Sequence, residues 1–525
     1  MCYIYITDIR GGFFMKKALS IFLCAAMLVS VMSLGASAAA ASRDVYEITN
    51  PYANVDWKTY GSYKTQLHCH TTASDGYLTI GEAIPNYYAL NYDAVAITDH
   101  GTMNPGWDKV PQTIPIMREI KKERTGGAQN EIVPLTAEDY AAFTGGTAQS
   151  IEYTYEKDGG RVSTGRTRTH KNGMLDVEKG NELNMATPVC DCHLTGYWSE
   201  YGQGYAGVYG DYETPSAGVK ADGGVSMLSH VGEYVYPDKD SEDHVGQKVD
   251  EYFVNKFARI FLDNVGSSAG MGINSATDAH TRCDRILYDQ ILQKTIPNGV
   301  TPWGFTFSDS HNETSMNDAY TYMLMPELTN EALRSSMLNG EFFACSHYSN
   351  GVELNGMAEM EGYKEENAQW WKDDTPIVTK IEVDESTDTI KVWGKNFNYI
   401  TWVSNGNVVL RDYDCKGGYA ELCLNDTDIL LDEINLYVRF YLSGDNGICY
   451  ANPMVVKHHG EKFERVFVPE THDTSTVLRW FVTVLDELIF KYNPVIWIFK
   501  YFALGYNPIE QAFGEGSTLI SVVTG

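Results

Sequence analysis

The chain has 525 residues, with 40 Lys and Arg against 69 Asp and Glu, a formal net charge of −29. The length exceeds one ordinary domain, and 43% hydrophobic with 21% charged residues describes a chain that folds rather than a disordered one. The acidic balance excludes a broad nucleic-acid-binding surface as its main business, because phosphate backbones need clustered cations. It leaves room for a small anionic substrate, since bound cations invert the field inside a pocket.

In chain order, residues 1–14 read as an upstream extension and residues 15–41 as a secretory signal. Lys16-Lys17 precede an apolar run from Ala18 to Leu34, and Ala36-Ser37-Ala38 supplies the small residues of a cleavage site. Cleavage near residues 38–41 implies a secreted or cell-surface protein. Eight Cys remain after cleavage, too sparse for a disulfide scaffold. Cys415, Cys423 and Cys449 share one region that can include a bridge, and Cys190-Asp191-Cys192-His193 has the look of a metal cluster without a second half.

From about 63 to 350, short apolar runs alternate with helix-like stretches at Ile80–Ala89, Tyr252–Phe261, Asp284–Gln293 and Asn330–Leu338. This alternation predicts a parallel α/β arrangement. Residues 42–350 form this first unit and 351–375 a charged linker. From 376 to 457, short β-type runs at Thr379–Val383, Thr389–Val392, Ile400–Val403, Tyr419–Leu424 and Leu436–Leu442 are separated by turn residues such as Asn405-Gly406. They predict a small all-β sandwich. Residues 458–525 form an apolar helical tail, in which Arg479, Thr483, Glu487 and Lys491 make a narrow polar stripe. The tail packs onto the other domains or, through 476–506, touches a membrane interface; its charges disfavour a span.

The chemistry lies at the ends of the apolar runs. Thr65-Gln66-Leu67 ends in His68-Cys69-His70, and Asp93–Ile97 in Thr98-Asp99-His100. Ile132–Leu135 leads to Glu138, Val225–Leu228 to His230, and Trp303–Phe307 to Asp309-Ser310-His311. In a β/α barrel the C-terminal strand ends converge on one face, where active sites are built. One such His is more often a core residue than a ligand, but five coincidences are hard to explain by packing. Alternation points both imidazoles of His68-x-His70 the same way, a divalent-metal chelate, and Asp309-x-His311 repeats it with a carboxylate. Imidazole with carboxylate suits Zn, Mn or Fe. The number of such groups implies a multinuclear site, with Glu138 available as a bridge.

These residues resemble the PHP (polymerase and histidinol phosphatase) family of metal-dependent phosphoesterases. His68-Cys69-His70 with Thr71, Ser74, Asp75 and Gly76 is similar to its first motif. Ile97–His100 is similar to its second and Phe307–His311 to its last, while Glu341–Ala344 resembles its closing strand. The resemblance covers roughly 63–350. It implies a distorted seven-stranded β/α barrel holding up to three divalent metals. By that resemblance one metal is held by His68, His70, Glu138 and Asp309, and a second by Glu138, His170 and His230. Asp75, His100 and His311 hold the third. His193 is the alternative to His170, and Asp278-Ala279-His280 mimics the closing motif. Catalytic work is expected from His68, His70, Glu138, Asp309 and His311.

The expected function is hydrolysis of a small phosphate ester outside the cytoplasm by metal-activated water, with Arg166, Arg168 and Arg282 as candidate phosphate clamps. Two rivals stay open at this stage. One is a metal-dependent amide or carbamate hydrolase on the same barrel. The other is a surface- or membrane-associated binding protein with a non-catalytic metal site.

Overall fold

Hydrophobic runs of four to six residues between turn signals build strands, and the 3.6-residue pattern builds the helices that cover them. The computed structural model describes residues 45–111, 131–184, 193–202, 212–235, 247–274, 283–347 and 369–471. The signal segment, residues 472–525 of the apolar tail, Cys190, Cys192, Asp278, His280 and Arg282 lie outside these residues, and the described start of the tail, 459–471, is not helical.

The first elements are β1 (Tyr46–Thr49), β2 (Gly61–Gln66), α1 (Ile80–Ala89), β3 (Ala94–Val95) and α2 (Ala137–Thr144). β4 (Tyr153–Lys157), β5 (Gly160–Arg166), β6 (Leu175–Asp176), β7 (Asn181–Asn184) and β8 (His193–Tyr197) follow. Next come α3 (Glu213–Ala221), β9 (Val225–Leu228), α4 (Glu251–Asp263), β10 (Ser268–Gly272) and α5 (Asp284–Thr295). β11 (Trp303–Phe305), β12 (Ala319–Met325), α6 (Asn330–Asn339) and β13 (Phe342–Ser346) end this half. The C-terminal strands are β14 (Ile377–Asp384), β15 (Thr389–Lys395), β16 (Tyr399–Ser404), β17 (Asn407–Asp412), β18 (Tyr419–Cys423), β19 (Tyr437–Gly444), β20 (Gly447–Ala451) and β21 (Met454–His458).

The fold is mixed α/β with several sheets. The hydrogen-bond ladders draw two main sheets where one ring of seven strands was expected. An eleven-stranded sheet runs β1-β21-β19-β20-β13-β12-β2-β3-β6, with β16 on β19 and β17 on β16. A five-stranded sheet runs β11-β10-β9-β8-β7. Two isolated parallel bridges join them, Cys69 to Ser310 and His100 to Glu182, both at residues beside or within the candidate site. Between the sheets lies a core with Leu67, Ala94 and Ala96 from one side and Tyr197, Met227 and Phe305 from the other. Tyr197 donates from that core to the Leu67 carbonyl at 2.7 Å, just below His68.

Local chemistry explains the helix starts. α1 begins with a capping box, the Thr79 amide donating to Glu82 Oε2 at 2.9 Å. α2 begins at Thr136, whose hydroxyl accepts from the Asp139 amide. The apolar run 132–135 before it is not a strand; Val133 and Leu135 instead bond to Gly81 and Trp107. Thr-Ala-Glu-Asp is a helix start with acidic residues in the first turn, and that local preference places Glu138 on an exposed helix.

The C-terminal strands do not stand apart from the first half. β20 pairs antiparallel with β13 from Phe343–Ala451 to Ser346–Ile448, and β21 pairs with β1, so ladder bonds cross the boundary read near 351–375. The β14-β15-β18 sheet packs Ile381, Ile390, Val392 and Leu422 in one core with Trp402, Phe440 and Leu442 of the large sheet. Asn405 and Gly406 both take positive φ (48° and 83°) in a two-residue hairpin between β16 and β17, which is the geometry Asn-Gly favours.

Candidate metal centre

Six imidazoles and three carboxylates converge where the two sheets meet, in overlapping groups whose ligand atoms lie within 4.8 Å of one another. The groups are His70, Asp75, His100, His311; His68, Glu182, His230; His68, His70, Asp309; and His100, Glu182, His193. β2 delivers His68 and His70, β3 delivers His100, β9 delivers His230, and the turn after β11 delivers Asp309 and His311. β7 and β8 contribute Glu182 and His193 from within the antiparallel part of the smaller sheet.

Seven residues anticipated from the sequence are therefore brought together: His68, His70, Asp75, His100, His230, Asp309 and His311. Glu138 and His170 are not. Glu138 is exposed in the first turn of α2. His170 lies at the other end of β3 from His100, where its Nδ1 meets Asp93 Oδ1 at 2.8 Å. Glu182 occupies the central place expected for Glu138, and His193 stands where His170 was expected. Arg168 and Arg166 are also tied elsewhere: Arg168 donates to the Tyr92 and Asn172 carbonyls at 2.8 Å, and Arg166 pairs with Asp373.

Glu182 is the centre of the arrangement. Its carboxylate is fully buried and lies 2.8 Å from His100 Nδ1 and from His193 Nδ1. It is 3.3 Å from His70, 3.4 Å from His230 and 3.5 Å from His68. Burial alone would push its pKa up, but His100, His193 and His68 hold it well below the usual carboxylate range. Burial likewise opposes charge on His70, yet Asp309 and Glu182 raise it well above an ordinary imidazole. Asp309 Oδ1 lies 2.9 Å from His70 Nε2 and 3.2 Å from His68 Nε2.

Side chains around the site fix which ring nitrogen faces inward. The Thr98 hydroxyl meets His68 Nδ1 at 2.7 Å, and the Ser74 hydroxyl meets His70 Nδ1 at 3.2 Å. Ser74 in turn donates to Asp99 Oδ1 at 2.6 Å, so it accepts from His70. His311 Nδ1 donates to the Asp309 carbonyl at 2.9 Å. In each case Nδ1 is engaged outward and Nε2 faces the cluster, the orientation that outer hydrogen bonds impose on metal-binding histidines. Asp99 also accepts from the Thr71 amide at 2.7 Å and its hydroxyl at 2.6 Å, clamping the loop after His70.

This donor set fits divalent cations. His68 Nε2, His70 Nε2, both Glu182 oxygens and Asp309 Oδ1 are buried, and none makes a well-directed hydrogen bond although they lie 2.8–3.5 Å from one another or from neighbouring imidazoles. Buried polar atoms without partners are costly, and a cation among them removes the cost. Two backbone features make the convergence possible. Gly180 passes the end of β3 so closely that a Cβ would lie 2.4 Å from the Ile97 carbonyl oxygen, bringing Glu182 inward. Asp309 takes the left-handed conformation (φ 47°), which Asp tolerates better than most residues.

Glu182 was missed because no strand-end motif marks it; the Gly180-Asn181-Glu182 sequence, with its glycine at the close approach, was the available signal. No protein-family model matches the chain, and no curated protein matches it. Among solved structures, the chain is similar to a two-domain protein from Bacteroides vulgatus containing a predicted PHP-like metal-dependent phosphoesterase. The identity is 13% over 79% of this chain and 99% of that one, with a TM-score of 0.33. A lesion-specific endonuclease from Pyrococcus furiosus is similar at 10% identity over 53% of this chain and 56% of that one, with a TM-score of 0.24. An amidohydrolase from Chromobacterium violaceum with bound sulfate is similar at 12% identity over 47% of this chain and 87% of that one, with a TM-score of 0.23.

Proposed function

We propose that the protein is an exported, metal-dependent phosphoesterase of the PHP type, with β2, β3 and β7 to β11 as its distorted seven-stranded barrel. The observation that carries this reading is the convergence of His68-x-His70, His100 and Asp309-x-His311 with Asp75, Glu182, His193 and His230 at one buried point. In this reading His70, Asp75, His100 and His311 hold one divalent ion. Glu182 is shared between His68 with His230 and His100 with His193, and Asp309 completes the set with His68 and His70. Up to three ions of Mn, Zn or Fe are accommodated by these imidazoles and carboxylates.

Divalent ions held there supply Lewis acidity toward phosphoryl oxygens and a source of activated water. The chain's own residues orient and insulate the site. Thr98 and Ser74 hold the His68 and His70 rings, and Asp99 holds Ser74 and Thr71. The inner residues His68, His70 and Glu182 are shielded from water, whereas Asp309 and His311 are 26% and 28% exposed and form the side from which substrate arrives. An anionic ester complements a site that concentrates cationic charge inside an acidic protein, and a neutral amide does so less well. This favours the phosphoester reading over the amide one.

The test is a substrate panel on the metal-loaded protein: a phosphomonoester, a phosphodiester, a carboxylic ester and an amide. Turnover is expected for a phosphoester and is lost on chelation and in Asp309→Ala with the fold retained by circular dichroism. Turnover of the amide alone, or phosphoester turnover that survives both treatments, overturns the reading.

A further inference from the structure

The cysteines outside the metal centre carry information that the hydrolytic reading does not use. Cys345 on β13 and Cys449 on β20 are direct partners in an antiparallel ladder. Both are fully buried and belong to the same core, so both side chains leave the same face of the sheet. Both are free thiols in this structure. Directly opposed antiparallel residues have Cα atoms about 4.5 or 5.5 Å apart, and either value falls inside the span of about 4.4–6.8 Å that a disulfide bridges. Burial, together with the adjacent Cys449 thiol, pushes the Cys345 thiol well above the usual range. Among the described residues no other cysteine faces a cysteine across a ladder: Cys423 lies on β18 opposite Thr389, and Cys415 follows the end of β17.

We propose that Cys345 and Cys449 close into a cross-strand disulfide when the chain folds in the presence of a disulfide oxidant. The step is thiol–disulfide exchange. One cysteine thiolate attacks the oxidant's disulfide, forming a mixed disulfide and releasing one oxidant thiol. The second cysteine then displaces the remaining oxidant thiol. Two cysteine thiols and one oxidant disulfide become one protein disulfide and two oxidant thiols, and the two electrons pass to the oxidant. Because both sulfurs are shielded in the folded chain, the exchange precedes final packing of β20 on β13. The bridge ties the C-terminal strands to the sheet that carries His68 and His70, enclosing a loop of roughly 100 residues, long enough for a large stabilisation.

The experiment refolds the full chain from denaturant in glutathione disulfide with glutathione, and separately with reductant alone. Unreduced digests are then mapped by mass spectrometry. The expected result in the oxidising arm is a peptide pair joining Cys345 to Cys449, about 2 Da lighter than the sum of its parts and separated by reductant. The oxidised chain is expected to melt about 5 °C or more above the reduced one, and Cys345→Ser or Cys449→Ser removes that difference. Metal content is expected to be equal in both arms. Folded chain from the oxidising arm in which both cysteines are singly alkylated overturns the proposal, as does Cys449 joined to Cys415 or Cys423. Neither result depends on whether the chain hydrolyses a phosphate ester.

Discussion

Replacing Glu182 by Gln keeps the side chain's shape and removes one charge from the middle of the cluster. Five imidazoles lie between 2.8 and 3.5 Å from this carboxylate. It is fully buried, so solvent does not replace the lost charge. Removing one member of a buried charged arrangement typically costs about 3–5 kcal/mol. At about 1.4 kcal/mol per decade this corresponds to a loss of roughly 100- to 4000-fold in metal affinity. The matched control is Glu138→Gln, which alters an exposed helix residue outside every cluster. The assay is elemental analysis after equilibrium dialysis against graded metal, with circular dichroism to confirm folding. Glu182→Gln is expected to lose ions at concentrations where the parent and Glu138→Gln keep them. Retention by Glu182→Gln, or loss from Glu138→Gln, would refute the placement of Glu182 at the centre.

Four further outcomes follow from particular contacts. Gly180→Ala places a Cβ 2.4 Å from the Ile97 carbonyl, so β7 must shift; a stability loss of about 1–3 kcal/mol in urea melts and weakened metal retention are expected. His170→Ala removes a ring held by Asp93, away from the cluster, and is expected to leave metal content unchanged; loss of an ion would show that the ring reaches the site. Asp289→Ala breaks the buried pair with Arg439, which it holds at 2.6 and 2.8 Å while also accepting from Tyr437. A cost of about 3–5 kcal/mol is expected, and a value near zero in denaturant melts would refute a stabilising link between α5 and the C-terminal strands. His347 is fully buried, and burial followed by the Lys64 charge depresses its pKa to about 4. Its folded pKa lies below the unfolded value, so its contribution is present above pH ~6.5 and is lost as pH falls toward about 4, up to roughly 3 kcal/mol. His347→Asn is expected to flatten the stability profile between those pH values, and an unchanged slope would count against the assignment.

The part of the site that was legible in the sequence is the part built from strand ends. His68, His70, His100, Asp309 and His311 each follow an apolar run directly, so alternation and position alone place them on a common face. Glu138 looked equivalent because it also follows an apolar run, but that run is a loop bonded to Gly81 and Trp107, and Thr136 caps a helix there instead. Glu182 and His193 come from an antiparallel pair whose partners are set by tertiary contact, such as the Gly180 approach to Ile97, and periodicity carries no trace of that. The same contrast holds in the C-terminal half. The Asn405-Gly406 hairpin announces itself through local turn chemistry. The pairing of β13 with β20 joins residues about a hundred positions apart and has no local signature, so a separate domain was the natural reading where one continuous sheet exists.

The central claim is that nine converging side chains, five of them buried and four partly buried, form a polynuclear metal centre. The most direct measurement is the number of divalent ions per folded chain, determined by elemental analysis of the protein reconstituted with Mn or Zn and dialysed free of excess. The account predicts two to three tightly held ions per chain, falling in Asp309→Ala and in Glu182→Gln. A folded chain that retains none, or the same number in the parent and both variants, would contradict it.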